Sequence, residues 1–102
     1  MENTRHSLRQ RRRLRVTLGG STSFTTNVSH DGFCTEAMRV MAPGTLVAGA
    51  ICVEGKDYSF AGSVVWARPG DARVNLRGRM GVRFSRVEHA FQRVVEVASP
   101  GI

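Results

Sequence analysis

Arg11 and Arg15 stand four residues apart in the run Gln10-Arg11-Arg12-Arg13-Leu14-Arg15, directly ahead of a β-type stretch. A guanidinium group is a planar fork of donors, suited to grip a phosphate or the O6/N7 edge of a guanine in bidentate fashion. A short strand later comes Asn27-Val28-Ser29-His30-Asp31-Gly32, which reads as a polar turn between two strands. It offers an amide, a hydroxyl and a glycine, the last allowing backbone to approach a ligand where a Cβ would obstruct it. In this order and at this separation, the two pieces suggest a clamp for an anionic, guanine-bearing molecule. Arg11 and Arg15 are its leading candidates, with Asn27, Ser29 and Gly32 opposite; Arg12 and Arg13 come second.

The charge of the chain agrees with an anionic ligand. Its formal net charge is +7, and Lys56 is the single lysine among 15 basic residues. Recognition of anions by bidentate geometry or stacking selects arginine in this way, and genomic base composition produces the same skew. Position is the better discriminator: Arg5, Arg9, Arg11, Arg12, Arg13 and Arg15 all fall within residues 5–15, before and at the start of the first strand. The competing reading of this run is a solvated tail or a non-specific nucleic-acid patch.

Other chemistries find little support. His6, His30 and His89 are dispersed, no carboxylates form a close pair suited to general acid–base work, and no metal-ligand spacing is present. The protein is therefore not expected to be an enzyme or to hold a metal or resident cofactor. Cys34 and Cys52 lie in β-like runs and form no CxxC or Cys/His cluster. Buried free thiols in a reducing compartment are favoured over a disulfide. No stretch approaches the ~18 apolar residues of a membrane span, and the basic N-terminus lacks the apolar core of a secretory signal. A cytoplasmic location without membrane insertion is the expectation.

A chain of 102 residues is one domain with a core of its own. Residues 1–10 are expected to form a flexible basic tail, residues 11–98 the folded domain and residues 99–102 a second tail. Strands are expected over residues 14–18 and 21–28, joined at Gly19-Gly20, then over 33–40 and 45–53 around an Ala42-Pro43-Gly44 turn. Residues 45–53 are apolar on both faces, as in a strand that is central or packed under a helix. After a turn at Glu54-Gly55-Lys56-Asp57, residues 58–67 form a fifth strand, with Tyr58, Phe60, Val64 and Trp66 on one face by period two. Residues 72–79 are ambiguous, and residues 80–84 close the sheet. Ser85-x-x-Glu88 has the form of a capping box opening a helix. Val87, Ala90, Phe91, Val94, Val95 and Ala98 then make one apolar stripe, expected to pack on the host barrel. Many short strands followed by one amphipathic helix argue for a small barrel plus helix.

Arg11-x-x-x-Arg15 followed by Asn27-x-Ser29-x-x-Gly32 resembles the bipartite RxxxR and (D/N)xSxxG signature of PilZ domains, bacterial receptors for the second messenger cyclic di-GMP. The resemblance runs from about Arg9 to about Val97; Gly62-Ser63-Val64-Val65-Trp66 is similar to the family's middle strand and Gly81-Val82-Arg83-Phe84 to its closing strand. It implies a mostly β fold, a six-stranded antiparallel barrel with a C-terminal α-helix. The ligand would lie on the barrel's outer face, between the arginine segment and the polar turn. Arg11 and Arg15 would then meet phosphate and guanine, with Arg12 and Arg13 secondary. Asn27 and Ser29 would hydrogen-bond guanine or phosphate, and Gly32 would keep the shape of the turn. Trp66 is either a stacking platform for a base or a half-buried sheet residue. Asp31 departs from the family pattern, and a carboxylate there weakens binding unless it points outward or pairs with an arginine. On this reading the ligand orders the arginine segment and a protein partner, unidentified by the sequence, reads the change. Two rivals are a nucleic-acid-binding barrel and a PilZ-like adaptor that binds no nucleotide. The first calls for aromatics exposed along a basic groove, and most of the seven here alternate in register with a core.

Overall fold

The computed structural model describes residues 11–97. The tails expected at residues 1–10 and 99–102, and Ala98 of the helical stripe, lie outside them. Six antiparallel strands close into a barrel in the order β1-β2-β3-β6-β5-β4: β1 Arg15–Leu18, β2 Ser21–Ser29, β3 Gly32–Ala37, β4 Leu46–Val53, β5 Lys56–Arg68 and β6 Gly78–Val87. One helix, α1, follows at His89–Val97. Two hairpins turn on residues with positive φ, Gly19-Gly20 between β1 and β2 and Glu54-Gly55 between β4 and β5. Paired positive φ values match the twist of the flanking strands, which is why glycine occupies the second position of each.

Alternation along the strands fills the interior. Val28, Phe33, Val82 and Val64 form one inward row across β2, β3, β6 and β5, and all are buried. Val16, Ile51 and Tyr58 form another across β1, β4 and β5. An aromatic chain then runs from the interior to the helix. Phe33 meets Phe60 edge-on at 5.3 Å, Phe60 meets Phe84 at 5.5 Å, and Phe84 meets Phe91 of α1 at 5.5 Å. Phe91 is fully buried, with Tyr58 on its other side at 6.0 Å. The helix therefore closes one end of the barrel with a single large side chain, supported by buried Val95.

Several elements differ from the sequence reading, each for a pairing reason. The helix does not start at Ser85, and the capping box does not form. β6 continues through Val87 because Arg86 pairs with Ala61 and Val87 with Phe60 of β5. Ser85 falls in the irregularity where the register shifts. Glu88 instead anchors the strand-to-helix step: its backbone N donates to Ser59 O at 3.1 Å, and its carboxylate accepts from Ser59 N at 2.7 Å. β3 ends at Ala37, short of Val40, because its partner β6 begins at Gly78, opposite Ala37. In β4 the outward Leu46 and Ala48 are exposed rather than covered by the helix. Residues 72–79 resolve into a 3-10 turn at Ala72–Val74, capped by Asp71, and the start of β6. The two cysteines are free but only half-buried.

Because one ring plugs the barrel end, Phe91→Ala is expected to lower the unfolding free energy by roughly 3–5 kcal/mol, measured by urea denaturation. Ala90→Ser, at an exposed position of the same helix, is expected to change it by less than about 0.5 kcal/mol.

Candidate ligand-binding face

The arginine segment is held along the barrel by one threonine. Thr25 Oγ1 donates to Arg12 O at 2.5 Å and accepts from Leu14 N at 2.9 Å, and Thr25 N donates to Leu14 O at 2.9 Å. Pairing with β2 thus continues past the start of β1, and the extended chain alternates. Arg11, Arg13 and Arg15 are exposed, whereas Arg12 is half-buried with its Nη1 buried and without a hydrogen-bond partner among the described residues. The Arg13 guanidinium sits 4.3 Å above the Phe24 ring, a cation–π contact. Arg15 Nη2 lies 3.9 Å from Asp57 Oδ1, with both side chains more than half exposed, so the pair is weak and screened. Arg13 and Arg15 thus rest on weak contacts at the surface.

The second motif is the end of a strand rather than a turn. Asn27 and Ser29 belong to β2, only His30 and Asp31 turn, and Gly32 opens β3. Asn27 is half-buried and faces outward in a row with Cys34, Gly81 and Trp66. Ser29 is fully buried, and its Oγ accepts from Asp31 N at 3.2 Å, bracing the turn. A Cβ on Gly32 would stand 2.1 Å from Val82 O. The glycine is thus needed for close strand approach to β6. Asp31 pairs with His30, Oδ1 to Nδ1 at 3.2 Å. The turn is also tied to the helix, Gln92 Nε2 donating to His30 O at 3.1 Å.

Trp66 leaves the face that period two gives it with Tyr58, Phe60 and Val64. The register of β5 against β6 slips by one residue between Val64 and Trp66, and a bulge of this kind reverses the phase of the following side chains. The indole comes out 40% exposed. It lies across Gly81, where a Cβ would be 2.3 Å from its Nε1. One side of the ring therefore rests on bare backbone while the rest meets solvent. Beside it is a cleft of about 260 Å³ between Asp31, Val65, Trp66, Gly81 and Arg83. Asn27 and Trp66 are three strand spacings apart, roughly 14 Å at 4.7–4.9 Å each, with only Cys34 and Gly81 between them. The floor is low and flat because its residues are small.

Arg83, Gly81, Cys34 and Phe24 join the site without having been singled out from the sequence. Arg83 pairs with Gly32 and Ser63, neighbours that no local pattern reveals. The next outward row carries Phe24, Glu36, Arg79 and Arg68, with Arg79 Nη2 reaching Glu36 Oε2 at 3.5 Å. The clearest electrostatic perturbation lies elsewhere: Arg73 donates to Asp71, holding that carboxyl below its usual range and the guanidinium above its own. This exposed pair caps the 3-10 turn. Among the described residues no group of three His, Cys, Asp or Glu side chains converges to hold a metal ion, and no helix is long and apolar enough to cross a membrane.

No family model matches the sequence, and no curated protein sequence matches it. The fold has a clear structural counterpart. The Bacillus subtilis inhibitor of motility (MotI/DgrA) superposes with a TM-score of 0.77 over 92% of this chain, at 15% sequence identity. The chain spans 48% of that protein's length in the structure. The likeness establishes the six-stranded barrel with its C-terminal helix, the architecture implied by the motif resemblance.

If Thr25 holds the arginine segment, Thr25→Val removes two of the three bonds that tie it down while preserving side-chain shape. Hydrogen exchange at the Leu14 amide is expected to accelerate about tenfold, with a global stability loss of about 1–2 kcal/mol, while exchange in β5 changes only by that global amount.

Proposed function

We propose that this protein is a cyclic di-GMP receptor of the PilZ type, binding the dinucleotide on the outer face of β2, β3, β6 and β5 and acting through a protein partner. The observation that carries this reading is the outward row from Asn27 to Trp66, bordered by exposed Arg13 and Arg15. Such a face offers forked cations for two phosphates, an amide for a base edge and an aromatic platform on a flat floor. In this arrangement Arg11 and Arg15 grip phosphate and guanine Hoogsteen edges, and Arg13 leaves Phe24 to join them. Arg12 supplies a guanidinium from the buried side of the segment. Asn27 makes the direct polar contact, while Ser29 and Gly32 hold the turn and the strand spacing that aim it. Trp66 stacks on a base, and Arg83 adds charge beside it.

Backbone atoms of Arg12 and Leu14 are already bonded to Thr25, so the ligand's main effect on residues 12–15 is to redirect side chains. The partner then reads a surface on which the arginines have been gathered and neutralised. A structural neighbour named an inhibitor of motility is consistent with a role exercised by binding rather than catalysis. Location in the cytoplasm, where such a messenger is made and read, belongs to the same proposal.

Calorimetric titration with cyclic di-GMP, against GTP, cyclic GMP and single-stranded DNA, tests it. Micromolar or tighter binding of cyclic di-GMP alone is expected. Loss of both Arg11 and Arg15 by alanine substitution abolishes the heat, and Trp66→Ala weakens binding by about 1–3 kcal/mol. Equal binding of single-stranded DNA, or uptake unchanged in the double-arginine variant, overturns the reading.

A further inference from the structure

The barrel end opposite the helix is open. Along β6, Phe84 touches the plug residue Phe91 at one end, while Met80, four residues earlier, forms part of the floor of a cavity of about 710 Å³ at the other. Buried Leu18 completes the floor, Val40 and Met41 form a wall packed on the core, and Met38 stands at the rim, 60% exposed. Hydroxyl groups of residues 21–23 line the facing side.

Two features indicate what such a cavity accepts. Met38, Met41 and Met80 are three of the chain's four methionines, gathered at one site. Methionine is unbranched and polarizable, and it adapts to apolar ligands of variable shape. The single charged residue of the lining is Arg39, with no carboxylate beside it and no ion-pair or hydrogen-bond partner among the described residues. An apolar cavity with a few convergent polar groups is the usual form of a small-molecule site, and a volume of roughly 300–1,000 Å³ suits one ligand molecule. The mouth of a small barrel is a common place for it.

We propose that this end of the barrel binds a single-chain anionic amphiphile, its hydrocarbon among Leu18, Val40, Met41 and Met80 and its acidic headgroup on Arg39. The site is separate from the outer face occupied by Asn27, Trp66 and the arginine segment, and it does not depend on that face binding a nucleotide.

The test uses the full chain with methyl-labelled methionine, followed by NMR during titration with decanoate and, separately, with 1-decanol. Expected are saturable shifts of the Met38, Met41 and Met80 methyl signals below the aggregation concentration of decanoate. Arg39→Gln is expected to weaken decanoate binding about tenfold and to leave decanol binding unchanged. Arg93→Gln, at an exposed position on α1, should affect neither. The proposal fails if the three methionines show no saturable response or respond only to aggregated decanoate. It also fails if Arg93→Gln weakens binding as much as Arg39→Gln, since the effect is then general attraction to a basic protein. A response to decanol that matches or exceeds the response to decanoate removes the anionic class.

Discussion

The barrel closes through a four-residue strand. β1 pairs with β2 on one side and with β4 on the other, Arg15 meeting Phe24 and Cys52, and Leu18 meeting Ser21 and Gly49. Without it the sheet would be an open ladder with two free edges, β2 and β4. Among the described residues the arginine segment runs directly into this strand, so barrel closure and the placement of the arginines share one element. Thr25 continues the ladder past the strand's end, with its hydroxyl replacing backbone partners that a fifth and sixth pair would supply. The position of Arg11, Arg13 and Arg15 on the outside is therefore a consequence of closing the barrel, propagated by the period-two alternation of an extended chain.

Three irregularities in the ladders then decide which side chains face outward and where β6 ends. The slip between Thr25 and Asn27 puts these two residues on opposite faces, although two-residue spacing in a regular strand would put them together. Thr25 turns in to hold the segment and Asn27 turns out onto the outer face. The slip at Val65 brings Trp66 outward onto Gly81, and the one at Ser85 carries β6 on to the helix. Bulges re-aim side chains without requiring a loop, so the outward row from Asn27 to Trp66 stays on the sheet itself.

Electrostatics on this face are deliberately loose. Arg15 with Asp57 and Arg79 with Glu36 are exposed, long contacts of the kind that contribute little to stability. Fold stability rests instead on the aromatic chain from Phe33 to Phe91 and the valine rows around it. Arginines can then be rearranged with little cost to the core. The helix lies on the load path between the two regions, since Gln92 reaches the backbone of His30 in the motif turn while Phe91 seals the interior.

The amino-acid sequence by itself determined what is local. Positive-φ turns at Gly19-Gly20 and Glu54-Gly55, the alternating strands between them and the apolar stripe carrying Phe91 and Val95 are each written within a few residues, because turn chemistry and periodicity act at that range. The spacing of Arg11 and Arg15, and of Asn27, Ser29 and Gly32, was legible for the same reason. Only the tertiary structure decided which face each of them serves. Ser85 and Glu88 have the local form of a helix cap, yet pairing with β5 holds Ser85 in a strand and sends Glu88 to Ser59. Trp66 has the local phase of a core residue, yet one unpaired neighbour reverses it. Gly81 and Arg83 carry a local strand pattern but no local sign of a site role, and they join the outer face because β6 lies between β3 and β5. Register across a closed sheet is a property of partners distant in sequence, and a shift of one residue exchanges inside for outside.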